Sequence, residues 1–162
     1  MISEKMVKEI NDQIQRELFS EYLYLQMAAY FKGENLDGFA HWMEVQAREE
    51  HIHAMKFFNH LYDRGAKVIL QPIQQPKNDF KSPLDTFKYA YEHELTVTKN
   101  INNLMEIAKK ENDYASESFL KWYVDEQVEE EDSFLKIVSI LEKIKDSTNA
   151  LFMLNSELGK RE

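Results

Sequence analysis

The 162 residues include only 4 glycines, 3 prolines and no cysteine, against a usual glycine-plus-proline share of ~12%, which excludes a turn-rich β domain. Without a thiol there is no disulfide framework, thiolate zinc site, iron–sulfur cluster or cysteine nucleophile, and a cytoplasmic setting is the default expectation. Lys plus Arg number 20 and Asp plus Glu 29, a formal charge of −9, which argues against a nucleic-acid partner.

The chain opens on Met1-Ile2-Ser3-Glu4-Lys5-Met6, with neither the basic start nor the apolar run of a signal peptide. A helix is predicted from about Glu4, after a Ser3 cap, to about Lys32. A second runs from about Leu36 to Arg64, with Gly65 placed to close it. Residues Ala66 to Lys81 hold Pro72 and Pro76 and read as extended coil. Ser82-Pro83 starts a third helix, which continues to about Asn112. The fourth covers about Tyr114 to Asp146, and a short amphipathic fifth runs from about Thr148 to Leu158. No stretch approaches the ~20 apolar residues of a membrane span, so no membrane partner is expected.

Two joints of two or three residues must return the chain antiparallel. The coil from Ala66 to Lys81 can cover roughly 50 Å, longer than a 29-residue helix at ~44 Å. The expected architecture is therefore all-α: one domain over residues 1–162, with a four-helix bundle over about 4–146. Its second and third helices run parallel, joined by one long crossover, and the short fifth helix occupies about 148–158. This is the ferritin-like arrangement of helices.

Each long helix carries an inward stripe at steps of three or four residues. On the first it reads Ile10, Ile14, Glu17, Tyr24, Ala28 and Phe31. The second gives Phe39, Met43, Gln46, Glu50, His53 and Phe57. Leu84, Phe87, Tyr91, Glu94, Thr98, Ile101 and Met105 follow on the third. On the fourth come Phe119, Tyr123, Gln127, Glu130, Phe134, Ile137 and Leu141. Every stripe is broken near its midpoint by a glutamate, and midpoints of packed helices lie at one level whichever way they run.

Glu17, Glu50, Glu94 and Glu130 are thus expected to meet, with His53 and Gln127 beside them. Burying four carboxylates costs several kcal/mol each unless they are neutralised. No Lys or Arg occupies the central stripe positions, so either the acids stay protonated or a multivalent cation holds them. Two divalent ions would supply +4, and Glu50 and His53 at i, i+3 share a face that can grip one ion. Hard oxygen plus one imidazole suits iron or manganese better than copper or structural zinc.

The sequence resembles the bacterial non-haem ferritins over its whole length. The resemblance is carried by Arg16-Glu17-Leu18-Phe19-Ser20-Glu21-Tyr22-Leu23-Tyr24-Leu25 and, on the second helix, by Phe39-Ala40-His41-Trp42-Met43 and Glu49-Glu50-His51-Ile52-His53-Ala54. Glu92-His93-Glu94 and Phe119-Leu120-Lys121-Trp122-Tyr123-Val124-Asp125-Glu126-Gln127-Val128-Glu129-Glu130-Glu131 complete it. It implies one iron on Glu17, Glu50 and His53 and a second on Glu50, Glu94 and Glu130, with Glu50 bridging and Gln127 alongside. It further implies a third, weaker iron site on Glu49, Glu126, Glu129 and Glu130, and a tyrosine, Tyr24, near the pair.

The implied reaction is ferroxidation, in which Fe(II) is oxidised with O2 or hydrogen peroxide and stored as a ferric oxyhydroxide mineral. Storage requires a shell, which the resemblance makes a homo-oligomer of twenty-four chains, with Leu151, Leu154 and Leu158 of the fifth helix at its fourfold axes. His51 stands where a bacterioferritin has its haem-ligating methionine, so it is expected to be exposed and no haem is expected. The second Glu-x-x-His of bacterioferritins and di-iron oxygenases is replaced by Gln127-Val128-Glu129-Glu130. His41, His60 and His93 are read as packing or surface residues. Competing readings are a di-iron peroxidase or oxygenase of the same fold, and a helical bundle that binds no metal.

Overall fold

The computed structural model describes residues 2–162 and contains five helices: α1 (Glu4–Gly33), α2 (Asp37–Asp63), α3 (Pro83–Lys110), α4 (Tyr114–Ile144) and α5 (Thr148–Leu158). Among the described residues there is no strand, and no helix is long and apolar enough to cross a membrane.

Side-chain caps set most of the starts by accepting orphan backbone N–H groups. Ser3 accepts from Met6 N and Ser82 from Asp85 N, both at 3.0 Å, and Asp113 accepts from Ser116 N at 3.2 Å. Pro83 sits in the first turn of α3, where its missing N–H costs nothing. The first three helices stop by left-handed turns at Asn35 (φ 58°), Gly65 (φ 67°) and Asn112 (φ 55°). Asn35 supplies the left-handed residue after α1, which runs one residue past the expected Lys32. Helix α4 ends two residues before the expected Asp146, because Lys145 turns to φ 46°.

The crossover runs along α1. The Asn11 amide donates to Lys67 O, Ile69 N donates to Asn11 Oδ1, and farther on Phe80 packs against Tyr30. From residue 11 to residue 30 a helix advances about 28 Å, so this segment carries the chain back along most of the bundle. Phe87, near the start of α3, packs on Phe31 and on Phe39 near the start of α2. Helices α2 and α3 therefore begin at the same end and run parallel.

The core is two apolar clusters. One end packs Leu23, Met27, Phe31, Phe39, Met43, Phe87 and Phe134. The other packs Met6, Ile10, Ile14, Phe57, Ile101, Leu104 and Tyr123. Between them lies a belt of buried polar residues. The inner face of α3 is rotated from expectation: Ala90, Val97 and Leu104 are buried, while Leu84, Tyr91 and Thr98 are half-buried at its margin. Phe119 on α4 is also half-buried, and Ser116 and Leu120 take the interior positions.

Helix α5 lies back on its own bundle, mainly against α2. Leu154 and Leu158 are buried in the first apolar cluster with Leu151 at its edge, so the leucine face is covered within the chain. Asn155 Oδ1 accepts from Gly38 N at 2.9 Å and from Phe39 N at 3.2 Å. It caps α2, whose own Leu36 offers no side-chain acceptor. Phe152 and Met153 point outward.

Candidate metal centre

The polar belt is built by one turn from each long helix. Glu17, Glu50, Glu94 and Glu130 are at most 5% exposed and His53 is 4% exposed. No Lys or Arg is among the buried residues described. Helical periodicity places each acid on the inner stripe, and the two apolar clusters hold the four backbones so that the acids converge.

Glu17, Glu50 and His53 each present a ligand atom within 4.8 Å of the others, and so do His53, Glu126 and Glu130. The imidazole belongs to both trios, with Nδ1 3.5 Å from Glu50 Oε2. Glu94 belongs to neither. Its Oε1 accepts from the Tyr24 hydroxyl and its Oε2 from Gln127 Nε2 at 3.1 Å. Gln127 also reaches Thr98 Oγ1 at 3.2 Å. Tyr24 is fully buried and stacked on Phe134.

Two amides that the sequence reading did not place in the site hold its carboxylates. Gln13 Nε2 donates to Glu17 Oε1 at 2.7 Å. Gln46 Nε2 donates to Glu50 Oε1 at 3.0 Å and Glu130 Oε2 at 2.9 Å, tying α2 to α4. Both amides are fully buried. That a glutamine lay on the stripe at position 46 was visible, but its choice of partners depends on side-chain rotamers.

The electrostatics are those of an acid cluster without a counter-ion. Burial, followed by the charge of Glu50, pushes Glu17 up to about 8. Burial and then Glu94 push Glu130 up to about 8. Glu94 rises to about 7 through burial, opposed by its bonds from Tyr24 and Gln127. Glu50 is held well above its ordinary value by burial, then by Glu94 and Glu130. Glu17 Oε2 is buried and makes no hydrogen bond. A buried carboxylate oxygen without a partner, facing three more acids and an imidazole, has the chemistry of a cation ligand.

The residues expected at a third position divide. Glu126 is half-buried and lies with Glu130 and His53, whereas Glu129 is exposed. Glu49 is outside that trio, paired with Arg161 at 2.5 Å. Of the other histidines, His51 is exposed beside Glu21, His60 stacks on Phe119 and His93 meets Ser20 Oγ at 2.8 Å. His41 donates to the Arg161 carbonyl at 2.7 Å.

A four-helix bundle lined at its middle by carboxylates on all four helices defines a class, and comparison with known proteins gives the same class. The family model described as Ferritin-like domain matches residues 7–144. The chain is 43% identical to a bacterial non-heme ferritin of Staphylococcus aureus (strain USA300), over 99% of this chain and 97% of that protein. It is 41% identical to the bacterial non-heme ferritin of Staphylococcus epidermidis, with the same coverage. Among solved structures, the open pore ferritin of the archaeon Archaeoglobus fulgidus superposes with a TM-score of 0.99 at 49% identity, covering 100% of both chains. The chain belongs to the ferritin family.

Proposed function

We propose that this protein is a ferroxidase that stores iron. The observation that carries the reading is the convergence of four buried carboxylates and one imidazole with no buried Lys or Arg among the described residues to neutralise them. Such a cluster is stable when ionised only with multivalent cations in it.

On this reading Glu17, Glu50 and His53 hold one Fe(II). Glu50, Glu94 and Glu130 hold the second, with Glu50 shared and Gln127 beside the pair. Glu94 reaches the second iron by exchanging one of its present hydrogen bonds, and Tyr24 is placed to steady the oxygen that stays behind. The two substrate ions give up one electron each. Together they reduce O2 to hydrogen peroxide, with two protons taken up, or hydrogen peroxide to water. Anionic oxygen ligands favour the ferric product, and the third position, around Glu126 and Glu130 with Glu49 and Glu129 at its edge, receives iron on the way to storage. Storage as ferric oxyhydroxide takes place inside a shell of twenty-four copies of this chain. The leucine face of α5 is covered within the chain, so Phe152 and Met153 are what this helix offers to contacts between copies.

The test is the initial rate of aerobic Fe(II) oxidation. Glu50→Ala and His53→Ala each remove a shared or central ligand, and each is expected to lower that rate at least about 10- to 100-fold, the loss that even outer supports of metal ligands cause. Particle size is expected to remain unchanged. Wild-type rates in both variants would refute the site.

A further inference from the structure

Arg161 follows α5 and folds back onto α2. Its Nη2 donates to Glu49 Oε2 at 2.5 Å, and its Nη1 reaches Trp42 O at 3.4 Å. The guanidinium carbon lies 4.2 Å from the centre of the Trp42 ring, a cation–π contact. The Arg161 carbonyl accepts from His41 Nε2. Three residues of α2, His41, Trp42 and Glu49, spread over about two turns, thus fix one residue from the far end of the sequence.

Its placement is set farther back as well. Asn155 caps α2, and a Cβ on Gly38 would lie 1.7 Å from the Asn155 carbonyl oxygen, so only glycine lets α5 sit this close. The arginine is delivered to Glu49 by a docked helix.

Glu49 adjoins the candidate ligand Glu50, and its charge reaches Glu130. Yet it stands outside the His53, Glu126 and Glu130 trio, with an oxygen held by the guanidinium. A carboxylate with one oxygen held by a guanidinium offers a metal ion only its other oxygen, and less negative charge than a free one does.

We propose that Arg161 is an internal competitor for the third cation: it holds Glu49 and so weakens cation binding at the position formed by Glu126 and Glu130. This rests on the reading of the site given under Proposed function. Arg161 is a positioning residue, acting through Glu49. Since the pair is partly exposed, its effect is modest.

The experiment titrates Fe(II) without oxygen into the full-length, metal-free protein by calorimetry, comparing wild type with Arg161→Gln, Arg161→Lys and the double variant Arg161→Gln/Glu49→Gln. Arg161→Gln is expected to tighten the weakest binding event by about fivefold, the upper end for a partly exposed ion pair, or to reveal one the wild type lacks. The two tighter events should not move. Arg161→Lys keeps the charge but loses the planar fork, and should tighten the weak event less. In the double variant the gain should vanish, since the freed carboxylate is gone.

An unchanged or weaker third event in Arg161→Gln, with the two tighter events intact, overturns the competitor. An equal change in all three events also overturns it, because it shows a structural role. Absence of the two tighter events from the wild type would refute the ferroxidase reading itself, and the competitor with it.

Discussion

Glu17 is a carboxylic acid near the middle of a helical bundle, with one oxygen bonded to Gln13 and the other to nothing. With Glu130 it is pushed up to about 8, and Glu94 to about 7, from an ordinary 4.5. Between pH 4.5 and these values the folded chain holds protons that the unfolded chain releases, so metal-free stability must fall as pH rises through that window. Thermal unfolding in the presence of a chelator is expected to show a falling melting temperature from about pH 5 to pH 8, and Fe(II) under nitrogen to restore it at the upper end. A melting temperature that is flat or rising over that range would contradict the cluster. These acids, and His53, were legible in the sequence because helical spacing fixes their face and the packing of equal-length helices fixes their level. Gln13 and Arg161 were not. The choice of an amide between two acceptors is decided by rotamers, and Arg161 meets Glu49 across 112 positions that no local period connects.

At the scale of the element, Ser3 and Ser82 were legible as helix caps, because each lies three residues before the N–H it accepts from, and Asp113 and Ser147 cap the starts read at about Tyr114 and Thr148 in the same way. The start of α2 was legible at about Leu36 but its cap was not, since the acceptor comes from Asn155 in α5. The same distance in sequence hid the docking of α5, whose leucines were expected at the fourfold axes of a shell and instead pack within the chain. On α3, Leu84, Tyr91 and Thr98 are spaced as regularly as Ala90, Val97 and Leu104, and only contact with the neighbouring helices decides which set is innermost. The α2–α5 joint leads to a specific expectation. Gly38→Ala must displace α5 or strain α2, because the new methyl would lie 1.7 Å from the Asn155 carbonyl oxygen. Overpacking of this kind costs about 1–3 kcal/mol, or roughly 2–10 °C of melting temperature at this size. A melt equal to wild type would show that the joint is looser than its geometry.

For the whole molecule, scarcity of glycine and proline reads as four long helices, and the two prolines of the crossover mark the segment that lets α2 and α3 run parallel. That topology brings a midpoint of each helix into one polar belt and leaves an apolar cluster at each end to secure it. A lone bundle can bind two or three ions, but storing mineral requires an enclosed volume that one chain does not have. The most direct measurement is therefore particle mass together with iron per chain after aerobic Fe(II) loading. The account predicts an assembly of about twenty-four copies of the 19.3 kDa chain, retaining far more iron than its ligand sites can hold. A monomer or dimer retaining about two irons per chain would contradict it, and would place the protein among the small di-iron oxidases of the same fold.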